Sequence, residues 1–427
     1  MSTQVSPAPS ADFSAKKAHS ESDNSPADSK YSWLVCCASF FCMFIAVGIS
    51  NSFGIYQTYY SKYTLTTTKP STIAWIGTLA TSMMLVATIF SGRLFVSIGF
   101  RYTAWAGCVL GFLGLLLASF FENVGYLIAT QGVLFGLGNG LIYSTSMAVT
   151  SQWFETKRGL ALGIITSGCG CGGLVISRIV NAAIVNLGYQ WSLRITSIMY
   201  FTIIFVAALA FKPRFQVTYK PKLVDITAFK GPVFLSVIAC GFIGNLGYVV
   251  PIFFIPSEII NLGGSDSFAS NQVTFFNVGF LVGGFAIGYL SDIIGPLNAF
   301  AISTFFAGAF QLIFWVAFKS LASLTVTSFF YGFFVPGFIS QCVSAITRNY
   351  PSDKWASYSG TYFAAAGISV VVSNSFIDKL LGSSLGSPNY VRAAAFSGIC
   401  YVIASLAIIP SIFYLRHKAG ANKTWFC

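Results

Sequence analysis

Charge is what this 427-residue chain has least of: Asp, Glu, Lys and Arg together make up 8% of it, against roughly 25% in an ordinary soluble domain. Acidic residues number 12 and histidines 2, His19 and His417, so paired carboxylates, a Ser-His-Asp triad and a His-rich metal site lack raw material. No Gly-x-x-x-x-Gly-Lys-Ser/Thr loop is present, and no nucleotide-driven pump is implied. Cysteine is available, at 10 residues. Nine lie in apolar segments and Cys427 ends the chain, so no disulfide framework and no structural zinc set is implied. These absences leave neither an enzyme nor a soluble binding domain as a good reading.

What fills the chain is apolar. Hydrophobic residues reach 55% and the mean hydropathy is +0.73. Runs near the ~20 residues that cross a bilayer as a helix recur throughout. Twelve are expected, at 33-57, 71-91, 101-121, 126-150, 159-184, 191-211, 232-256, 268-290, 298-318, 322-345, 355-377 and 391-415. The fold class is therefore an all-α membrane protein. Residues 1 to 30 are polar and carry no cleavable signal, which predicts a disordered tail over 1-32.

Basic residues set the orientation. With the N-terminus inside, 17 of the 24 Lys and Arg fall on the cytoplasmic side and five outside, as expected for short loops. Both termini are then cytoplasmic, and the +12 net charge needs no nucleic acid to explain it.

The twelve spans divide in two. Gly92-Arg-Leu-Phe-Val-Ser-Ile-Gly99 returns 196 positions later as Gly288-Tyr-Leu-Ser-Asp-Ile-Ile-Gly295, and the same shift lays Arg158 on Lys354. Two six-helix bundles, 33-211 and 232-415, are expected, joined by a basic linker at 212-231, with a short tail at 416-427. The stretch WFETKRGLALGIITSGCGCGG at 153-173 places Lys157 and Arg158 at the membrane surface before glycines spaced four apart, a spacing that lets helix backbones approach closely.

These motifs resemble the major facilitator superfamily. The Gly-x-x-x-Asp-x-x-Gly at 288-295, with its weaker copy at 92-99, is similar to the superfamily's signature loop. The stretch at 153-168 resembles the loop 4 and span 5 signature of the monocarboxylate porter family. Asp28 to Trp33, Asn51 to Tyr60 and Asn277 to Asn298 fit its fungal monocarboxylate-permease-like and riboflavin-transporter-like branch. The resemblance covers about residues 28 to 415 and implies a secondary carrier rocking two halves about a midplane site. It implies gating roles for Gly92, Gly99, Arg101, Lys157, Arg158, Gly288, Asp292 and Gly295. Two family positions depart: the span 1 lysine reads Asn51, and the span 8 arginine reads Gly284.

Within the spans, polar groups cost energy and require a reason. The candidate substrate contacts are Asn51, Asn139, Tyr143, Arg178, Asn245, Tyr248, Asn277 and Gln341. Arg178 offers a guanidinium fork for a carboxylate or snorkels to the surface, whereas the others are neutral. No Asp or Glu is expected deep in any span, so proton coupling is left open. A monocarboxylate is the first expectation for the substrate, with riboflavin or an exported metabolite as the alternative. A nutrient sensor on the same scaffold is the non-transporting alternative. The expected partners are a small molecule and the lipid bilayer, with no cofactor, metal or nucleic acid. The plasma membrane is expected, with the vacuolar membrane second.

Overall fold

A computed structural model of the chain describes residues 26-68, 70-215, 223, 225-381 and 390-419. The tails expected at either end, 1-32 and 416-427, fall mostly outside these residues. Among the described residues, twelve helices are long and apolar enough to cross a membrane. They are α1 Lys30–Thr64, α2 Pro70–Ile98, α3 Phe100–Ala118, α4 Val124–Trp153, α5 Arg158–Leu187 and α6 Tyr189–Ala208. The second six are α7 Pro232–Asn261, α8 Asp266–Ile294, α9 Pro296–Ala317, α10 Leu321–Asn349, α11 Trp355–Leu381 and α12 Tyr390–Ala419.

Helix ends follow local chemistry. Ser29 caps α1 and Ser320 caps α10 through reciprocal bonds with the third helical residue, Ser32 and Ser323, which satisfy first-turn amides that lipid cannot. Gly99 and Gly295 precede α3 and α9 at φ +92° and +89°, the left-handed region where only glycine is unstrained. The 196-residue repeat therefore extends to backbone geometry.

Some helices are longer than their apolar runs. The expected α7 ended at residue 256, but Pro251 and Pro256 both lie inside a helix that continues to Asn261. The extension carries Glu258, which is 6% exposed, into the last turn of α7 rather than deep into the span. Neighbouring helices in a bundle can support backbone groups freed by proline, so α7 continues past both prolines. π-Helical turns occur at Tyr60–Thr64, Ile128–Leu134 and Gln311–Ala317. Two of them meet, where the Tyr60 hydroxyl donates to Gln131 Oε1 at 3.0 Å.

The halves touch along two seams, α5 against α8 and α2 against α11. Backbones approach where glycines leave room. A Cβ on Gly288 would lie 2.7 Å from the Gly159 carbonyl oxygen, and one on Gly92 would lie 3.0 Å from Ala356 Cβ. These contacts mark the end of the molecule that carries the 212-231 linker. The seams continue to mid-membrane at Gly173 beside Asn277 and at Gly367 beside Ser82. Glycine approaches within one half are equally tight, as at Gly172 of α5 against Phe44 of α1.

Candidate functional site

Helices from both halves converge on Tyr143 in α4. Its ring meets Phe363 of α11 edge-on, with centroids 5.3 Å apart. Its hydroxyl lies within electrostatic reach of Cys169 in α5, Cys342 in α10 and Tyr248 in α7. Asn51 of α1 joins this group by donating from Nδ2 to the Cys169 carbonyl at 3.5 Å. One turn before Tyr143, Asn139 is 1% exposed. Its amide nitrogen donates to the Ala46 carbonyl and to Ser50 Oγ, both at 3.0 Å. Its Oδ1 accepts from nothing, a buried acceptor left unsatisfied. One turn before Tyr248, Asn245 donates to its own helix at the Gly241 carbonyl, 2.7 Å away.

Asn51, Tyr143 and Tyr248 thus lie about one point between the halves, with Asn139 and Asn245 one turn away along α4 and α7. The wall consists of phenol, phenyl, amide and thiol groups, with no formal charge. Such a surface suits an uncharged or weakly polar ligand with planar apolar area.

The other three candidates are elsewhere. Arg178 is exposed on the face of α5 that carries Val175 and Val185, 44% and 74% exposed. It follows Cys169 by nine residues, which at about 100° per residue is half a turn out of phase. Cys169 faces the convergence point, so Arg178 faces away. Asn277 lies in the α5–α8 seam, donating to Val273 at 2.8 Å with Oδ1 unpartnered. Gln341 is wholly buried between α10 and α8, accepting from Ser291 Oγ at 2.5 Å and donating to Ser340 Oγ at 3.2 Å.

The motif residues assemble at the linker end. Asp292 of α8 receives the Gly159 amide at 2.7 Å and the Leu160 amide at 2.9 Å, placing a carboxylate on the positive end of α5. Arg158 Nε donates to the Phe154 carbonyl at 2.9 Å, and its NH1 crosses to Thr347 of the other half at 3.3 Å. The same guanidinium lies 5.0 Å from the Trp355 ring centre, close enough for a cation–π contact. Arg101 departs from expectation. It donates to the Leu209 carbonyl at 2.5 Å, tying α3 to the end of α6 within one half. Lys157 is exposed and contributes its backbone amide, which donates to Asp28 at 3.4 Å.

Sequence reading named Asp28 only as the start of a family stretch and gave it no partner. This residue holds a left-handed backbone at φ +56° and accepts from the Thr156 hydroxyl at 2.7 Å and the Thr156 amide at 3.2 Å. Partial burial raises the pKa of its carboxyl, but the bonds from Thr156, Lys157 and Glu155 outweigh burial and hold it below the ordinary value. Its signal was an acid immediately before the Ser29 cap. The partner loop, 128 positions away at Thr156, had none. Beside this latch a cleft of about 500 Å³ opens between Arg158, Arg348, Phe215, Tyr350 and Trp355. Deeper in, a cavity of about 40 Å³ is lined by Ser144, Met147, Ser151, Val343 and Thr347 from both halves, room for about one water.

The sequence profile of the Major Facilitator Superfamily matches residues 32–263 and 237–424. "MFS transporter asaE" of Aspergillus flavus is 26% identical over 392 residues, covering 91% of this chain and 88% of that protein. "Agnestins efflux protein AgnL12" of Paecilomyces divaricatus is 26% identical over 420 residues, covering 98% of this chain and 95% of that one. "Aspyridones efflux protein apdF" of Emericella nidulans is 27% identical over 329 residues, covering 77% and 67%. Among solved structures, the transporter FucP in its outward conformation superposes with a TM-score of 0.69 at 14% identity, covering 88% of this chain and 97% of that one. The profile spans almost every described residue, and the twelve-helix fold agrees with it. The chain belongs to the Major Facilitator Superfamily: it is a multi-pass membrane transporter, not an enzyme.

Proposed function

We propose that the chain is a secondary carrier that exports a small, uncharged organic compound by rocking its two halves about the Tyr143 convergence point. The observation that carries this reading is the neutral wall of Asn51, Tyr143, Cys169, Tyr248, Cys342 and Phe363. A carboxylate moved through a low-dielectric centre needs a fixed cation or a proton to offset its desolvation. Arg178, the cation expected to serve, faces away. The monocarboxylate expectation therefore yields to the alternative of an exported metabolite, which the relatives named as efflux proteins also favour. The basic linker end is read as cytoplasmic, and the plasma membrane as the site of export.

Flux in vesicles separates the two substrate classes. Labelled lactate, pyruvate, riboflavin and a set of neutral aromatic metabolites are presented to both faces, with Tyr143→Ala and Arg178→Ala alongside the parent. Export of a neutral compound that falls about tenfold in Tyr143→Ala, roughly 1.4 kcal/mol of lost binding, and survives in Arg178→Ala is the expected result. Saturable lactate or pyruvate flux that collapses in Arg178→Ala would overturn the neutral reading.

A further inference from the structure

We infer that the cleft at the linker end binds a phosphate group, clamped between one guanidinium of each half, Arg158 and Arg348, and that its occupant holds the halves together there. The cleft measures about 500 Å³, within the roughly 300–1,000 Å³ of small-molecule sites. Glu155 and Arg158 face it from one bundle, and Arg348, Ser352 and Trp355 from the other.

The charges there are unequally satisfied. Glu155, the acid among the lining residues, pairs with Arg214 at 2.8 Å. Asp292 gives both oxygens to the Gly159 and Leu160 amides, and Asp28 is held by Thr156 and Lys157. Arg158 commits Nε and NH1 to the carbonyls of Phe154 and Thr347. Arg348, in the last turn of α10, is exposed and lies within electrostatic reach of Arg158 and Asp292. Its guanidinium has no hydrogen bond or ion pair among the described residues. Two like charges therefore face one cavity whose acid is already paired.

A guanidinium has five N–H donors and no acceptor, so two that face one cavity repel until an anion sits between them. A phosphomonoester supplies a charge of about −1.5 to −2 and three acceptor oxygens, enough to take a fork from each side. A monocarboxylate, with two oxygens in one plane, is matched by a single fork. The Trp355 ring lies 5.0 Å from the Arg158 guanidinium and meets Phe215 edge-on at 6.0 Å, an apolar wall for the organic part of such a ligand. Soluble phosphate esters and lipid headgroups share this chemistry, and both occur on the side that basic loops mark. Because the two forks belong to different halves, a ligand bonded to both stabilises the closed linker end by mass action. The site thus controls the carrier from outside the Tyr143 convergence point.

Thermal melting of the full chain in neutral detergent reads the binding. Inorganic phosphate, glycerol 3-phosphate and phosphatidic acid are titrated separately, each against potassium chloride of equal ionic strength. At least one phosphate probe should raise the melting temperature saturably. Arg348→Gln, whose parent side chain has no bond to lose, should keep the basal melting temperature and weaken the apparent affinity about tenfold, as expected for loss of a hydrogen bond to a charged group. Arg178→Gln removes an equal charge elsewhere on α5 and should respond as the parent does. Labelling reads the closure. Cysteine is placed at Ser151, which is 1% exposed in the small cavity behind the cleft, and a Ser151 parent corrects for native thiols. Its reaction with a membrane-impermeant maleimide should slow several-fold in saturating probe, a slowing that Arg348→Gln abolishes.

Stabilisation by either soluble probe identifies a phosphate ester as the occupant, and stabilisation by phosphatidic acid alone identifies a lipid headgroup; both support the site. A parent that melts alike in phosphate and in chloride, or an Arg348→Gln variant that responds like the parent, would overturn it. Stabilisation without slower labelling would overturn the clamp across the halves. If Arg348→Gln does not purify as a single species, Ser352→Glu decides in its place, because it sets a competing carboxylate on the exposed rim of the cleft. Weaker binding there supports the site and unchanged binding overturns it. No transported substrate is present in these measurements, so their failure is distinct from failure of the export reading.

Discussion

Asn139 shows how a single buried amide can be legible by type and illegible by role. Its sequence position in an apolar run marks it as a polar group with a purpose. The structure divides that purpose between two donors committed to α1 and one acceptor left open. Asn139→Ala should therefore lower the thermal stability of the detergent-solubilised protein, since two bonds worth roughly 0.6 kcal/mol each in a membrane interior are lost. Asn139→Asp should lower it further, because a carboxylate cannot donate to either partner. Melting curves of the two variants check the order. At Asp28 the prediction concerns pH. A carboxyl whose folded pKa lies below its unfolded value stabilises the fold at neutral pH, and that stability is lost as pH falls through the folded value. The stability difference between the parent and Asp28→Asn should accordingly stay constant from pH 8 down to about pH 5 and shrink only below about 3.9. A difference that disappears near neutrality would contradict the hydrogen bonds drawn to Thr156 and Lys157.

At the scale of elements, the glycine spacing within α5 was legible as close packing but not as two kinds of packing. Gly163 and Gly172 are nine residues apart and so face opposite sides. Gly163 meets the Gly284 carbonyl of the other half, whereas Gly172 meets the Phe44 carbonyl of its own half. A methyl group at either position has backbone to displace, yet the consequences differ. Gly163→Ala should leave a folded, monodisperse protein that cannot close its linker end, with flux down about tenfold or more. Gly172→Ala should instead lower the melting temperature by several degrees, because it wedges α1 from α5 in every conformation. Size-exclusion profiles and melts of the pair distinguish the two. Helix ends were the least legible element feature. The α7 boundary failed at Pro256 because proline stops an isolated helix, while a helix held by neighbours runs past it and takes Glu258 inside.

For the whole molecule, the seams explain the state of the carrier. Close approaches between the halves begin at the linker end and reach mid-membrane at Gly173 and Gly367. The neutral convergence point around Tyr143 lies along these seams, deeper than the bonds that Asp292 and Arg158 make at the linker end.

The sequence by itself determined the twelve spans, the two-fold repeat and the superfamily, because each depends on something local or periodic. An apolar run is matched against bilayer thickness, a motif against its copy 196 residues later. The linear order also showed that few charges were available for a site. It did not determine which polar groups meet. That depended on helix phase, in which a half-turn error turns Arg178 from ligand to outward-facing side chain. It depended equally on the docking of two separately folded bundles, which brings Tyr143 to Phe363 and Asp292 to the start of α5 across gaps of more than 100 residues. Contacts between halves carry no periodic signal in either half alone, so only the tertiary structure decided where the site and the linker-end bonds lie.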